Sequence, residues 1–264
     1  MISIVVSTYK PELFQQFSAN VAENIGVIYE IVPVHNPGIY SLCQAYNLGI
    51  SKAKYSYCCF VHEDVLINTK NWGQHLINIM QQDRSIGLIG VAGSKFKSTY
   101  PTTGWGTGPF VKKFWRGHYK TLDVNKKDIV EIDLDVTPQK TDVEDVVIVD
   151  GVFLFTKTEV LDKCRFDENM LTHFHGYDTD FCLQVHFNSY RVLVDRDLDI
   201  LHYSKGVQGK EFANANKLIL QKWSNKLPEA TSDLRLGTMR LHGYNLLVWM
   251  GYIWFALQRK LKLR

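Results

Sequence analysis

The sequence predicts an α/β protein with a mostly parallel central sheet and helices on both faces. Over the first 95 residues, short β-branched or apolar runs alternate with segments of 3.6-residue apolar periodicity. This βαβαβαβ order requires helical crossovers between parallel strands. The chain has 264 residues, near the limit of one hydrophobic core, so one domain plus an appendage is expected. With 45% apolar and 12% aromatic residues it is not a disordered chain.

The elements follow in order. Residues 2–7 (ISIVVS) form a first strand. A helix begins at Pro11, with Leu13, Phe14, Phe17, Val21 and Ile25 on one face and Gly26 as its stop. Residues 27–34 form a second strand, broken by Asn36-Pro37-Gly38. Leu42, Ala45, Tyr46, Gly49 and Ala53 mark the next helix, leading into a buried strand over 55–61. Trp72, Leu76, Ile79 and Met80 mark another helix, and 86–91 a fourth strand. Residues 94–145 break the pattern: a Gly-rich loop over 104–109 is followed by candidate strands at 117–124 and 129–136. Regular structure returns at 146–156, with a short helix, a helix over 178–188, strands at 190–195 and 199–203, and an amphipathic helix near 211–226.

Five cysteines without a CxxC pair exclude a disulfide framework and a structural zinc site, and fit a reducing compartment. The opening residues lack the basic and apolar stretches of a secretory signal, so a cytoplasmic location is expected. Net charge is +3, but residues 205–264 carry a net +8 and the preceding residues a net −5. A basic tail suits an anionic partner. Residues 246–257 (LLVWMGYIWFAL) are continuously apolar and are followed by Arg259, Lys260, Lys262 and Arg264. As a helix this run spans about 18 Å, short of a bilayer's ~30 Å core. Residues 243–264 read as a helix lying on an anionic membrane surface, or as one packing on the body or on a second subunit of a homo-oligomer. The continuous apolar face argues against nucleic acid as the partner.

Ligands of such sheets bind beyond the carboxyl ends of the strands. Ser7-Thr8-Tyr9, His35-Asn36 and His62-Glu63-Asp64 follow three consecutive strands. Neither GxGxxG nor GxxxxGK[ST] is present, which disfavours a dinucleotide dehydrogenase or a P-loop enzyme. The carboxylates at 63 and 64 suit a hard divalent cation, or a solvated loop. Asp178, in the cluster His173–Asp180, is an N-cap of the next helix or a general base, with Asp180 in the first turn. His202 ends a strand, where a histidine is structural or a ligand. Trp105 is a sugar-stacking platform or a loop anchor.

Taken together, these residues resemble the nucleotide-sugar glycosyltransferases of the GT-A fold, family 2 in particular, over residues 1–205. The pieces are ISIVVSTYK at the start, AYNLGI over 45–50, FVHEDV over 60–65, VDGVF over 149–153, RFDE over 165–168, GYDTDFCL over 176–183, and His202. The resemblance implies a GT-A catalytic unit over 1–205, divided into a nucleotide-binding half (1–95) and an acceptor-side half (96–205), with 206–264 as a helical extension. It implies inverting transfer from a nucleoside-diphosphate sugar, with a UDP-sugar first in line, to a hydroxyl of a saccharide acceptor; a tail lying on a membrane would make that acceptor lipid-linked or membrane-proximal, as in bacterial surface polysaccharide synthesis. The family's Asp-x-Asp triplet falls on His62-Glu63-Asp64. Asp64, with His202, then holds Mn2+ or Mg2+, whereas position 62 has no metal role. Asp178 is the base, and Tyr177, in place of the family's Glu, faces the acceptor. Thr8, Tyr9, Asn36 and Glu63 serve the donor nucleotide, and Trp105 faces the acceptor. A sugar-nucleotide pyrophosphorylase would need a Gly-rich, Arg-containing loop after the first strand, which Ser7–Pro11 does not supply. A non-catalytic carbohydrate- or nucleotide-binding relative is the alternative of a different class.

Overall fold

The computed structural model describes residues 1–100, 114–123, 128–133, 142–204, 209–234 and 238–262. Its first elements are β1 (Ile2–Thr8), α1 (Pro11–Asn24), β2 (Tyr29–His35), α2 (Leu42–Lys52), β3 (Tyr57–Val61), β4 (Val65–Ile67), α3 (Trp72–Gln82), β5 (Ile86–Gly90), β6 (Ala92–Ser94) and β7 (Phe96–Lys97). They are followed by β8 (Trp115–Asp123), β9 (Asp128–Asp133), β10 (Val143–Val146), β11 (Ile148–Val149), β12 (Phe153–Lys157), α4 (Thr158–Leu161) and α5 (Tyr177–Phe187). The chain continues through β13 (Arg191–Asp195), β14 (Ile200–His202), α6 (Lys210–Lys222), β15 (Glu229–Ala230) and α7 (Thr238–Lys262).

Local chemistry sets several of these boundaries. Pro11 occupies the first turn of α1, where its missing N–H costs nothing. Ser41 and Gln44 form a reciprocal capping box at the start of α2: Gln44 N–H donates to Ser41 Oγ and Ser41 N–H to Gln44 Oε1.

The main sheet has the order β10-β13-β5-β12-β3-β1-β2. Period-two alternation splits its side chains between two cores. Val5, Cys58 and Phe60 point to the side covered by α2, α5 and α6. Ile4, Val6, Cys59 and Val61 point to the side covered by α1 and α3. The α/β layering thus matches the expectation, with two of the seven strands reversed. β1 pairs in parallel with β2 and β3, and β5 with β13. β12, however, runs antiparallel to both β3 and β5, and β10 antiparallel to β13. The physical reason is connectivity: β12 follows the excursion over 91–149 and enters the sheet from the edge at which β3 ends.

A second sheet, β11-β6-β8-β14-β4 with β9 beside β8, folds over that edge. β8 and β9 fall on the two strands expected near 117–124 and 129–136, of which 124 and 134–136 lie outside the described residues. β10 was not expected, because Glu144 and Asp145 disguise it. Glu144 accepts from Lys95, Arg116 and Arg196, and Asp145 accepts from Nε and Nη2 of Arg191.

α6 is tied to the main core through Ala215, Ile219 and Trp223. α7 packs Leu241 and Val248 on Phe96 and Phe114 in a separate cluster with Ala230. No helix among the described residues is long and apolar enough to cross a membrane.

Candidate functional site

β1, β2 and β3 lie side by side in parallel register, so their carboxyl ends open at one edge. A cleft of about 830 Å³ lies there, lined by Ser7, Tyr9, Asn36, His62, Asp64 and Phe174 among others. Three of the expected residues shape its floor. Glu63 is buried and accepts from Thr8 Oγ1 at 2.5 Å and from the backbone N–H groups of Tyr9 and Lys10, each at 3.2 Å. Its carboxylate therefore fixes the β1–α1 loop, and Thr8 is spent on that bond. Asn36 donates to Ser7 Oγ and Tyr40 O and accepts from Tyr40 N–H, closing the loop after β2. Tyr9 is exposed beside the opening.

The cation candidates converge from distant parts of the chain. β14 pairs antiparallel with β4, placing His202 opposite Val65, next to Asp64. Tyr203 N–H donates to Asp64 O, which locks that register. His202 Nε2 lies 3.3 Å from Asp64 Oδ1, 3.5 Å from His62 Nδ1 and 3.1 Å from Ser204 Oγ. Burial raises the Asp64 carboxyl, but the His202 hydrogen bond and charge override it and hold the pKa at about 2. Burial pulls the His62 imidazole down to about 4, so it is neutral at physiological pH.

One ligand atom each from His62, Asp64 and His202 lies within 4.8 Å of the others. Two imidazoles and a carboxylate form a donor set that suits a divalent first-row metal ion, so these residues fit the implied group. The sequence assigned position 62 no metal role; the structure brings His62 into the cluster. A His at the first position of the triplet was the signal, since imidazole is itself a metal donor. A second such group among the described residues, His75 with Asp195 and Asp197, is consumed internally. His75 Nε2 lies 2.7 Å from Asp195 Oδ2, and Asp197 N–H donates to Asp195 Oδ1.

Asp178 lies in the first turn of α5. Gly176, at φ 87°, takes the N-cap position that Asp178 could have filled. Asp178 Oδ2 accepts from Gly151 N–H at 3.2 Å, and Oδ1 from Thr179 N–H. Burial first, and the charge of Asp150 second, raise its pKa to about 6. Asp178 is not among the residues lining the cleft. Tyr177 differs from its expected acceptor-facing role: its side chain points inward, 5% exposed, with its hydroxyl 2.8 Å from His62 Nε2. The close approach of residue 151 permits this, since a Cβ there would sit 2.2 Å from that hydroxyl. Asp180 turns away into the core, where it accepts from Trp223 Nε1, Lys222 Nζ and Gln184 Nε2. Trp105 lies outside the described residues.

A family model described as a glycosyltransferase-like family matches residues 3–223. The chain belongs to that family. This glycosyltransferase-like chain also resembles solved structures in fold. One is GalNAc-T7 with UDP, GalNAc and Mn2+, at TM-score 0.57 and 12% identity, covering 83% of this chain and 47% of that one. Another is TarS 1–349 of S. aureus, at TM-score 0.51 and 14% identity, covering 83% and 64%. The chain thus spans about half of the first and under two thirds of the second. At such identities the likeness is one of fold, and it is the GT-A fold that the motifs implied. No curated protein matches the glycosyltransferase-like sequence.

Proposed function

We propose that this chain transfers a sugar, with inversion, from a nucleoside-diphosphate sugar to an acceptor hydroxyl, with a UDP-sugar as the donor to test first. One observation carries this reading: Asp64 and the loops after β1 and β2 line one cleft, His202 sits beside Asp64, and a carboxylate of raised pKa lies on the adjoining helix. Residues 1–205 form the catalytic unit and 206–264 the extension, with α6 bound into the core.

Asp64 and His202 would hold Mn2+ or a related ion, which when bound neutralises charge on a departing diphosphate. Tyr9 and Asn36 flank the nucleoside. Glu63 and Thr8 keep the loop beneath it rigid, so less ordering entropy is lost on binding. Asp178 takes the proton from the acceptor hydroxyl as its oxygen attacks the anomeric carbon. A carboxyl of pKa about 6 is ionised at neutral pH and still a stronger base than an ordinary aspartate. The test is calorimetric titration with UDP, with and without Mn2+. Metal-dependent micromolar binding that disappears in Asp64→Asn is the expected result. UDP, GDP and dTDP all failing to bind would overturn the reading in favour of a scaffold without a donor site.

The acceptor is a saccharide or a lipid-linked glycan met at the inner face of the plasma membrane, as in bacterial surface polysaccharide synthesis. α7 supports this placement. Its buried face carries Leu241 and Val248, whereas Leu246, Trp249, Met250, Ile253 and Leu257 recur at helical spacing as an exposed apolar stripe. Four basic residues follow at 259, 260, 262 and 264. Such a stripe beside a basic cluster fits an anionic bilayer surface, each basic residue contributing about 1 kcal/mol near it. The chain should float with vesicles containing phosphatidylglycerol and not with phosphatidylcholine alone. Ile253→Glu should weaken partitioning by about tenfold or more, since burying such a side chain is worth about 1.5–3 kcal/mol. Equal flotation of the variant would remove the stripe from the argument, and a dimer that Ile253→Glu dissociates would assign it to a second copy.

A further inference from the structure

We infer that Lys97 anchors an anion-binding subsite on the Asp178 side of the molecule, and that the acceptor carries an oxyanion, a phosphate or a carboxylate, close to the hydroxyl it presents. The inference rests on the proposed reading of Asp178 as the base of a sugar transfer and adds to it the chemical class of the acceptor.

Lysine is almost never fully buried unless its charge is paired. Lys97, in β7, is 1% exposed, and its Nζ has no hydrogen-bond partner among the described residues. Lys95, two positions earlier, shows how this fold neutralises a buried ammonium: Glu144 and Asp233 both accept from its Nζ. Lys97 stands opposite Glu229 in the register of β7 with β15, yet that carboxylate does not bond it. Glu229 Oε1 accepts from Ala230 N–H, and Oε2 lies 3.8 Å from His186 Nε2. A charge taken out of water without a partner is strongly unfavourable, so an incoming counter-charge has much to gain there.

The backbone that carries Lys97 is fixed on both sides. Thr231 N–H donates to Lys95 O, Thr99 N–H to Asn245 Oδ1 of α7, and Asn245 Nδ2 to Thr99 Oγ1. Phe96 packs on Phe114 and Tyr244 in the α7 cluster. Neighbouring strand residues point to opposite faces, so Lys97 points away from that cluster. The carboxylate whose charge acts on it is Asp178, which makes no hydrogen bond to it. Burial pulls the pKa of Lys97 down to about 8, so the amine is still protonated at neutral pH. Asp178 in turn feels the charge of Asp150. Two carboxylates would repel an acceptor with a negative charge of its own, and Lys97 is the cation that offsets them. An oxyanion on Nζ makes a charge-assisted hydrogen bond. The flexible four-carbon stem lets Nζ move to it while the strand stays in place. A neutral acceptor would leave the ammonium unpaired.

The test reads Lys97 itself, without metal, so that the cation–diphosphate site stays out of the measurement. In the full chain labelled with 13C-lysine, the Lys97 Cε resonance is the one missing from Lys97→Met. Inorganic phosphate and acetate are titrated separately, against sodium chloride at equal ionic strength. At least one should shift that resonance saturably, with a Kd in the millimolar range, and the tighter of the two names the group on the acceptor. By calorimetry, Lys97→Met should bind that anion roughly tenfold more weakly or worse. The variant replaces an unpaired ammonium by an apolar chain of similar length, so it should melt no lower than the parent at pH 7. No saturable shift with either anion, or equal affinity in the variant, overturns the subsite. A melting temperature several degrees lower would show Lys97 already paired within the protein and overturn it as well. Failure of UDP, GDP and dTDP to bind with Mn2+ would instead overturn the sugar-transfer reading, and with it the acceptor class, whatever the phosphate titration shows.

Discussion

An Asp178→Asn variant is expected to lose about 10²–10⁴-fold in turnover while binding UDP and Mn2+ as the parent does. The amide keeps the shape and can still accept from Gly151 N–H, but it cannot take a proton. The pH dependence has a definite sign. The carboxyl must be ionised to act as base, so transfer should rise with pH through about 6 and level off above it. Stability runs the other way. An unfolded aspartate ionises near 3.8 and this one near 6. The stability held below pH 4 is therefore lost as pH climbs through 6. Asp178→Asn should melt higher than the parent at pH 8, where the parent carries a buried charge. Full activity in the variant would end the assignment of Asp178 as base.

The largest structural effect is expected at Asp180. Its carboxylate is fully buried and holds Trp223 Nε1 at 2.8 Å, Lys222 Nζ at 2.9 Å and Gln184 Nε2 at 2.8 Å. Removing one partner of a buried charged network costs about 3–5 kcal/mol, because the remaining groups are left desolvated. Asp180→Ala should lower the melting temperature by roughly 6–20 °C for a chain of this size. Asp180→Asn, which keeps an acceptor for the indole, should cost less. A melting temperature within about 2 °C of the parent would show that the network contributes nothing.

The three helices and four main-sheet strands of the first 95 residues were legible because each is defined by its own neighbours, whereas the short β4 and β6 hold too few residues to show a pattern. Leu76 and Met80 share a helical face, and residues 57–61 form an apolar run. Direction was not legible at β12. Phe153–Lys157 is buried throughout, and such a run reads the same whether it pairs parallel or antiparallel. β10 escaped because its acids meet four cations supplied by three distant segments.

The candidate site shows the same division. The three strand-end clusters were visible, since a strand's end follows from local pattern. Asp64 beside His202 required the family resemblance, because 138 positions separate them. Tyr177 was read by its neighbour Asp178 as acceptor-facing, and only tertiary packing turns it toward His62. Asp180 looked like a first-turn residue favoured by the helix dipole, with nothing in its vicinity announcing Trp223.

The placement of β12 between β3 and β5 also governs how the molecule comes together. β3 and β5 are not neighbours, and each donates an edge to a strand made much later. On the ribosome, the first five strands therefore cannot close their own sheet. Two fully apolar edges, Cys58–Val61 and Ile86–Gly90 in sequence, stay open until Phe153 has been synthesised. Pairings of such long sequence separation form slowly, and open apolar edges are templates for intermolecular pairing. The half that resembles a nucleotide-binding module is for this reason not one that could be excised, duplicated or fused on its own. Residues 1–95 and the strands made after them are knitted through a shared middle strand.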